Sequence, residues 1–115
     1  MIKLGQSLQK IVECAARLNE VRKSDLLPGD LVIITTLNSV YSVRVLGNNH
    51  YQVSGGWFDK QGLSPMKTTI AGCTWGGSII KVNIIAAIGL CLEFGNRVVT
   101  SPIQKIEVIQ SGSEN

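Results

Sequence analysis

Leu4, Leu8, Ile11, Ala15 and Leu18 follow one another at spacings of four, three, four and three, with Gln9, Lys10, Glu13 and Arg17 between them. Apolar residues at this period share one stripe of a helix, so the spacing predicts an amphipathic helix of about four turns ending near Lys23. Glu13 and Arg17 form an i,i+4 pair, Arg22 and Lys23 suit the negative end of the helix dipole, and Pro28-Gly29 stops the helix. The stripe needs a cover, and the expected one is the chain's own sheet. The same five residues also make a short coiled-coil seam, through which a second copy would pair as a homodimer.

From Leu31 the apolar period changes to two. Leu31 to Leu37 is a β-branched run, Asn38-Ser39 supplies a turn, and Tyr41, Val43 and Val45 then alternate with Ser42 and Arg44. Gly47-Asn48-Asn49 turns the chain into His50 to Val53, which predicts a hairpin. Further strands are expected at Lys67 to Ala71, over Ile79 to Phe94 with a break near Ala86-Ala87, at Arg97 to Thr100 after the Gly95-Asn96 turn, and at Gln104 to Ile109. Gly89 marks an expected bulge, and Pro102 an edge or a strand start.

These elements predict an α+β, mainly β fold: an N-terminal amphipathic helix followed by a small antiparallel β-barrel or strongly curled sheet of about seven strands. Residues 1–29 hold the helix and connector, residues 30–109 the barrel-like domain and residues 110–115 a disordered polar tail, in one structural domain overall.

Residues 55–77 hold both tryptophans, each beside a Gly-Gly pair, as Gly55-Gly56-Trp57 and Trp75-Gly76-Gly77. Glycine pairs admit positive φ and close neighbours, so each tryptophan is expected where the chain turns. Trp57, Phe58 and Trp75, with Lys60 and Lys67 nearby, are the candidate binding residues, an aromatic patch carried on a rigid scaffold. The competing reading buries the aromatics in the core, because the chain has only two Trp, two Tyr and two Phe.

Composition narrows the function classes. A chain of 115 residues that is 44% hydrophobic and 17% charged can bury one core. The formal charge of +3 is dispersed along the sequence, which disfavours nucleic acid as the partner. Residues 1–20 contain no uninterrupted apolar stretch of the signal-peptide kind, and the most apolar segment, Ile79 to Leu92, is interrupted by Lys81 and Asn83. A cytoplasmic protein that does not enter the membrane is expected. Cys14, Cys73 and Cys91 are an odd number without Cys-x-x-Cys spacing, so reduced thiols are expected rather than disulfides or a zinc site.

Thr35-x-x-Asn38-Ser39-x-Tyr41, the Gly55-Gly56 pair, and Phe94-Gly95 followed by Thr100-Ser101-Pro102-Ile103 resemble a short bacterial all-β domain. Its copies share an Asn-Ser-x-Tyr start and a Thr-Ser-x-Ile/Val finish. The resemblance covers about residues 30–109 and implies a β fold, with no activity or ligand attached.

No residue pattern specifies catalysis. His50 is the only histidine and stands at a turn, where a solvated ring is the ordinary state. Cys73, beside Thr74-Trp75 in a glycine-flanked segment, could serve as a nucleophile if a base lay close in space, although small buried thiols usually fill core. The carboxylates show no close pairing, and the glycines match no phosphate-binding loop. The sequence therefore predicts a non-catalytic interaction module with a protein partner, without metal or cofactor. The alternatives are a small barrel binding single-stranded nucleic acid and a Cys73-dependent enzyme.

Overall fold

The β-branched run after Asp30 becomes β3 (Leu31–Thr36), with Val32, Ile34 and Thr36 buried and Leu31, Ile33 and Thr35 half-covered. A continuous apolar run here serves one packed face and one partly shielded face. In the computed structural model, which describes residues 15–75 and 79–111, this strand lies in a mainly β chain. The other strands are β1 (Ala15–Arg17), β2 (Glu20–Arg22), β4 (Val40–Gly47), β5 (His50–Gly55), β6 (Met66–Trp75), β7 (Ile79–Lys81), β8 (Ile84–Ala87), β9 (Cys91–Phe94) and β10 (Ile103–Ile109). A short helix, α1 (Gly56–Lys60), joins β5 to β6, and one 3-10 turn, Lys23–Asp25, follows β2.

Eight strands make one antiparallel sheet in the order β1, β10, β3, β4, β5, β6, β7, with β9 also paired to β6. Cys73 pairs with Lys81 of β7 and with Leu92 of β9, so these two strands occupy opposite edges of β6. Register shifts between Val45 and Gly47, Ile70 and Gly72, and Ile103 and Lys105 bend the strands, and the sheet curls into a half-barrel. Hydrogen bonds cross the open side. Thr100 N–H reaches Leu92 O at 2.9 Å, Ile103 N–H reaches Leu90 O at 2.8 Å, and Glu93 bridges Val99. The segment leading into β10 thereby ties β9 back toward β3.

Tyr41, Val43 and Val45 of β4 and Tyr51 and Val53 of β5 point inward, meeting Ile70, Leu92, Phe94, Ile103 and Ile106. β8 pairs with β2 as a separate ribbon and is buried along its whole length, so the ribbon lies over the core with Val21 inserted. Each such Ile, Leu or Phe contributes about 1.5 to 3 kcal/mol through burial.

The expected N-terminal helix, and with it the α+β class, is overturned. Where the helix was expected to continue to Lys23, the chain forms β1 and β2, and α1 is the one α-helix among the described residues. Residues 1–14, including Leu4, Leu8 and Ile11, lie outside the described residues. Tertiary pairing explains the difference. The outer edge of β10 offers Ala15, Ala16 and Arg17 backbone partners at Ile109, Val108 and Glu107. Glu20, Val21 and Arg22 alternate exposed, buried, exposed, a period of two concealed within the helical spacing. Leu18 is exposed between the two strands, so Ala15 and Leu18 do not continue a helical seam. The described residues also contain ten strands where about seven were expected: β1 and β2 are added, residues 79–94 divide into β7, β8 and β9, and the strand expected at Arg97 to Thr100 is reduced to the single Glu93–Val99 bridge.

At the other end of the chain, Asp30 is buried and accepts hydrogen bonds from Leu27 N–H and Ser111 N–H, each at 2.9 Å. Ser111, within the expected disordered tail of residues 110–115, is held there, and residues 112–115 lie outside the described residues.

Candidate functional site

The Gly55-Gly56 pair is required where β5 turns into α1. Gly55 adopts φ 101° and ψ 176°, a region open essentially to glycine alone, and a Cβ there would strike the Val40 carbonyl. A Cβ on Gly56 would enter the Tyr41 ring. The Asp59 carboxylate accepts Gly55 N–H at 3.0 Å, and Trp57 N–H contacts Tyr41 Oη at 3.4 Å. This geometry drives Phe58 into the core at 0% exposure. Its ring meets Phe94 edge-on at 5.0 Å, Trp57 at 5.2 Å and Tyr41 at 6.3 Å between centroids. Phe58 is therefore a core residue, and Trp57 is half-buried against it.

The other residues of the quoted resemblance gather at the same end of the sheet. Thr36 Oγ1 donates to Ser39 O at 3.1 Å and accepts the Ser101 hydroxyl at 2.9 Å. Ser101 Oγ in turn accepts Asn38 N–H at 3.0 Å, and Leu37 N–H reaches Pro102 O at 2.9 Å. Thr100 Oγ1 accepts Leu92 N–H at 3.1 Å. These hydroxyls act as fasteners between the β3–β4 turn and the segment entering β10.

Trp75 stands elsewhere. It closes β6 at the end remote from Met66, about 30 Å along the strand at 3.3 Å per residue. Trp57 and Trp75 therefore do not share a patch. Lys67, exposed on β6 opposite Gln52, and Lys60, exposed on α1, belong to the Trp57 half of the molecule. Trp75 is 71% exposed, and its hairpin partner strand adds exposed Ile80, with Val82 just beyond it. By register Trp75 stands across from Ile79 and Ile80 across from Thr74, so Trp75 and Ile80 are exposed on opposite faces of the β6–β7 ribbon.

Cys73 lies inside at 0% exposure, and burial pushes its thiol up from the usual 9.0 to about 11. Cys91 and Glu20 push in the same direction, while an Ala87 backbone hydrogen bond and Lys23 oppose them. His50 is exposed, with Nδ1 2.9 Å from Asn48 O. It pairs with Thr69, four residues before Cys73 and so roughly 13 Å away along β6, too far for a thiol–imidazole pair. Among the described residues no group of three His, Cys, Asp or Glu is placed to hold a metal ion.

The raised thiol makes stability depend on pH. Between pH 9 and about 11 the unfolded chain releases the Cys73 proton and the native chain retains it, so stability present below pH 9 is lost as pH rises through this window. The loss amounts to about 3 kcal/mol. Urea unfolding across this range is expected to show a steeper decline in wild type than in Cys73→Ala, and parallel profiles would contradict the buried thiol.

One cation is placed in a way the sequence did not signal. Lys23 folds back from the 3-10 turn and its Nζ donates to Ile70 O at 2.7 Å, where β6 shifts register against β9. Burial lowers its pKa from 10.5, an effect that Cys73 opposes. Lys23 borders two clefts. One, of about 660 Å³, includes Glu20, Arg22 and Lys81; the other, of about 440 Å³, includes Leu26, Pro28, Val45, Asn48 and Tyr51. Tyr51 is 4% exposed, and burial raises the pKa of its phenol above 10.0.

No known protein family, curated protein or solved structure matches the chain. Sequence reasoning missed Lys23 and Tyr51 because their meeting depends on β5, β6 and the 3-10 turn together. Separately, each residue fits an ordinary role, a helix-end cation and an inward strand aromatic.

Proposed function

We propose that this chain is a non-catalytic interaction module that contacts a protein partner in the cytoplasm through the β6–β7 ribbon. The observation carrying this reading is Trp75, 71% exposed at the end of β6, directly after the buried Cys73 and Thr74. Tryptophan is enriched among the energetic anchors of protein interfaces. The ribbon also presents β7, the last strand in the sheet order, as an edge. No helix among the described residues is long and apolar enough to cross a membrane. What supports this reading over a thiol-based activity is the burial and raised pKa of Cys73. What supports it over single-strand binding is the separation of Trp75 from Trp57, Lys60 and Lys67, which leaves no continuous stacking platform.

A photo-crosslinking residue at position 75 or 80, in the native cellular setting, is expected to give a discrete protein adduct. The same residue at exposed Gln104 should not. Adducts to nucleic acid, or equal labelling at all three positions, would overturn the reading, and an adduct of twice the chain mass would identify the partner as a second copy.

A further inference from the structure

The cleft of about 440 Å³ at the β4–β5 turn brings together two polar groups that the fold leaves underused. Lys23 has three N–H donors, of which the Ile70 carbonyl takes one, and among the described residues no carboxylate pairs with it. Tyr51 is 4% exposed and lines the same cleft, and among the described residues its hydroxyl has no hydrogen-bond partner. The two are neighbours by register. Tyr51 pairs with Thr68, and Ile70, which holds Lys23, is the diagonal neighbour, about 7 to 8 Å away between Cα atoms.

The Tyr51 ring is packed while its hydroxyl stays accessible, so the proton can be donated to an acceptor that enters the cleft. The cleft wall contains no carboxylate, and Asn48 and Asn49 contribute amide groups at its rim. One ammonium and one phenol supply a single full positive charge, which matches a monoanion better than doubly charged phosphate. Leu26, Pro28 and Val45 offer the remaining wall to an apolar body, and the volume lies within the range of small-molecule sites. We propose that this cleft binds a small organic acid, its carboxylate accepting hydrogen bonds from Lys23 Nζ and Tyr51 Oη and its apolar part lying against Leu26, Pro28 and Val45. The cleft shares no residue with the Trp75 ribbon, so either proposal can fail without the other.

The test is an NMR titration of the ¹⁵N-labelled protein with hexanoate, 1-hexanol and inorganic phosphate, at ionic strength held constant with sodium chloride. Hexanoate at millimolar concentration is expected to move the amides of Lys23 and residues 47–51 saturably, and neither hexanol nor phosphate should do so. Tyr51→Phe should weaken hexanoate on the order of tenfold, and Lys23→Met by at least as much. Tyr51→Phe removes a hydroxyl that has no partner among the described residues, so it remains decisive if Lys23→Met, which loses the Ile70 contact, fails to fold. The proposal is overturned if hexanoate gives no saturable shift, if hexanol binds equally, if phosphate binds more tightly, or if Tyr51→Phe binds hexanoate as wild type does.

Discussion

Phe58→Ala lowers the unfolding free energy by about 4 kcal/mol, because it removes a fully buried ring and leaves a cavity that its neighbours cannot close. Phe94, Tyr41 and Trp57 all rest on that ring at 5.0 to 6.3 Å between centroids, and each loses an edge-on partner. Small domains hold only about 5 to 15 kcal/mol in total, so the loss should appear as a fall in Tm of roughly 15 °C. Trp75→Ala serves as the comparison. Its side chain lies largely in water, and its removal is expected to change stability by less than about 1 kcal/mol. Similar losses in the two variants, measured by denaturant unfolding, would show that Phe58 does not anchor α1 to the core.

Gly55→Ala is expected to cost more than about 3 kcal/mol, from two sources that add. The alanine must hold a backbone conformation suited to glycine, which costs about 1 to 3 kcal/mol, and its Cβ must displace the Val40 carbonyl, which is backbone and cannot rotate aside. The strain falls on the junction of β4, β5 and α1, so the variant should unfold earlier and lose near-ultraviolet signal from Trp57. Gly62→Ala provides the contrast. Gly62 also has positive φ, at 70°, but a Cβ there meets nothing within 4 Å, so only the backbone penalty applies. Equal costs at the two positions would mean that the contact with Val40 relaxes freely.

The β4–β5 hairpin was legible in the sequence because every signal agreed. Tyr41, Val43 and Val45 alternate with polar residues, and Asn48 and Asn49 provide the positive-φ turn at 53° and 58°. The N-terminal segment misled for a corresponding reason. Its 3.6-residue spacing is a genuine local preference, but strands of three residues are too short for a period of two to compete in the pattern. They form because β10 and β8 present backbone partners, and those partners lie far away in the chain.

The candidate site divides along the same line. Residue types alone marked the two Gly-Gly-flanked tryptophans as unusual, and local chemistry made Gly55-Gly56 a turn. Whether an aromatic is core or surface depends on what the sheet places over it: α1 carries Phe58 inward beneath Trp57, while β6 runs on past the core and delivers Trp75 to solvent. The meeting of Lys23 with the Ile70 carbonyl, 47 residues apart, has no trace in spacing or composition. Alternation and turn chemistry act over a few residues and are written in the chain itself. Burial, the pKa of Cys73 and the two clefts arise only when distant strands exclude water from the same place, and the curl of the sheet decides where that happens.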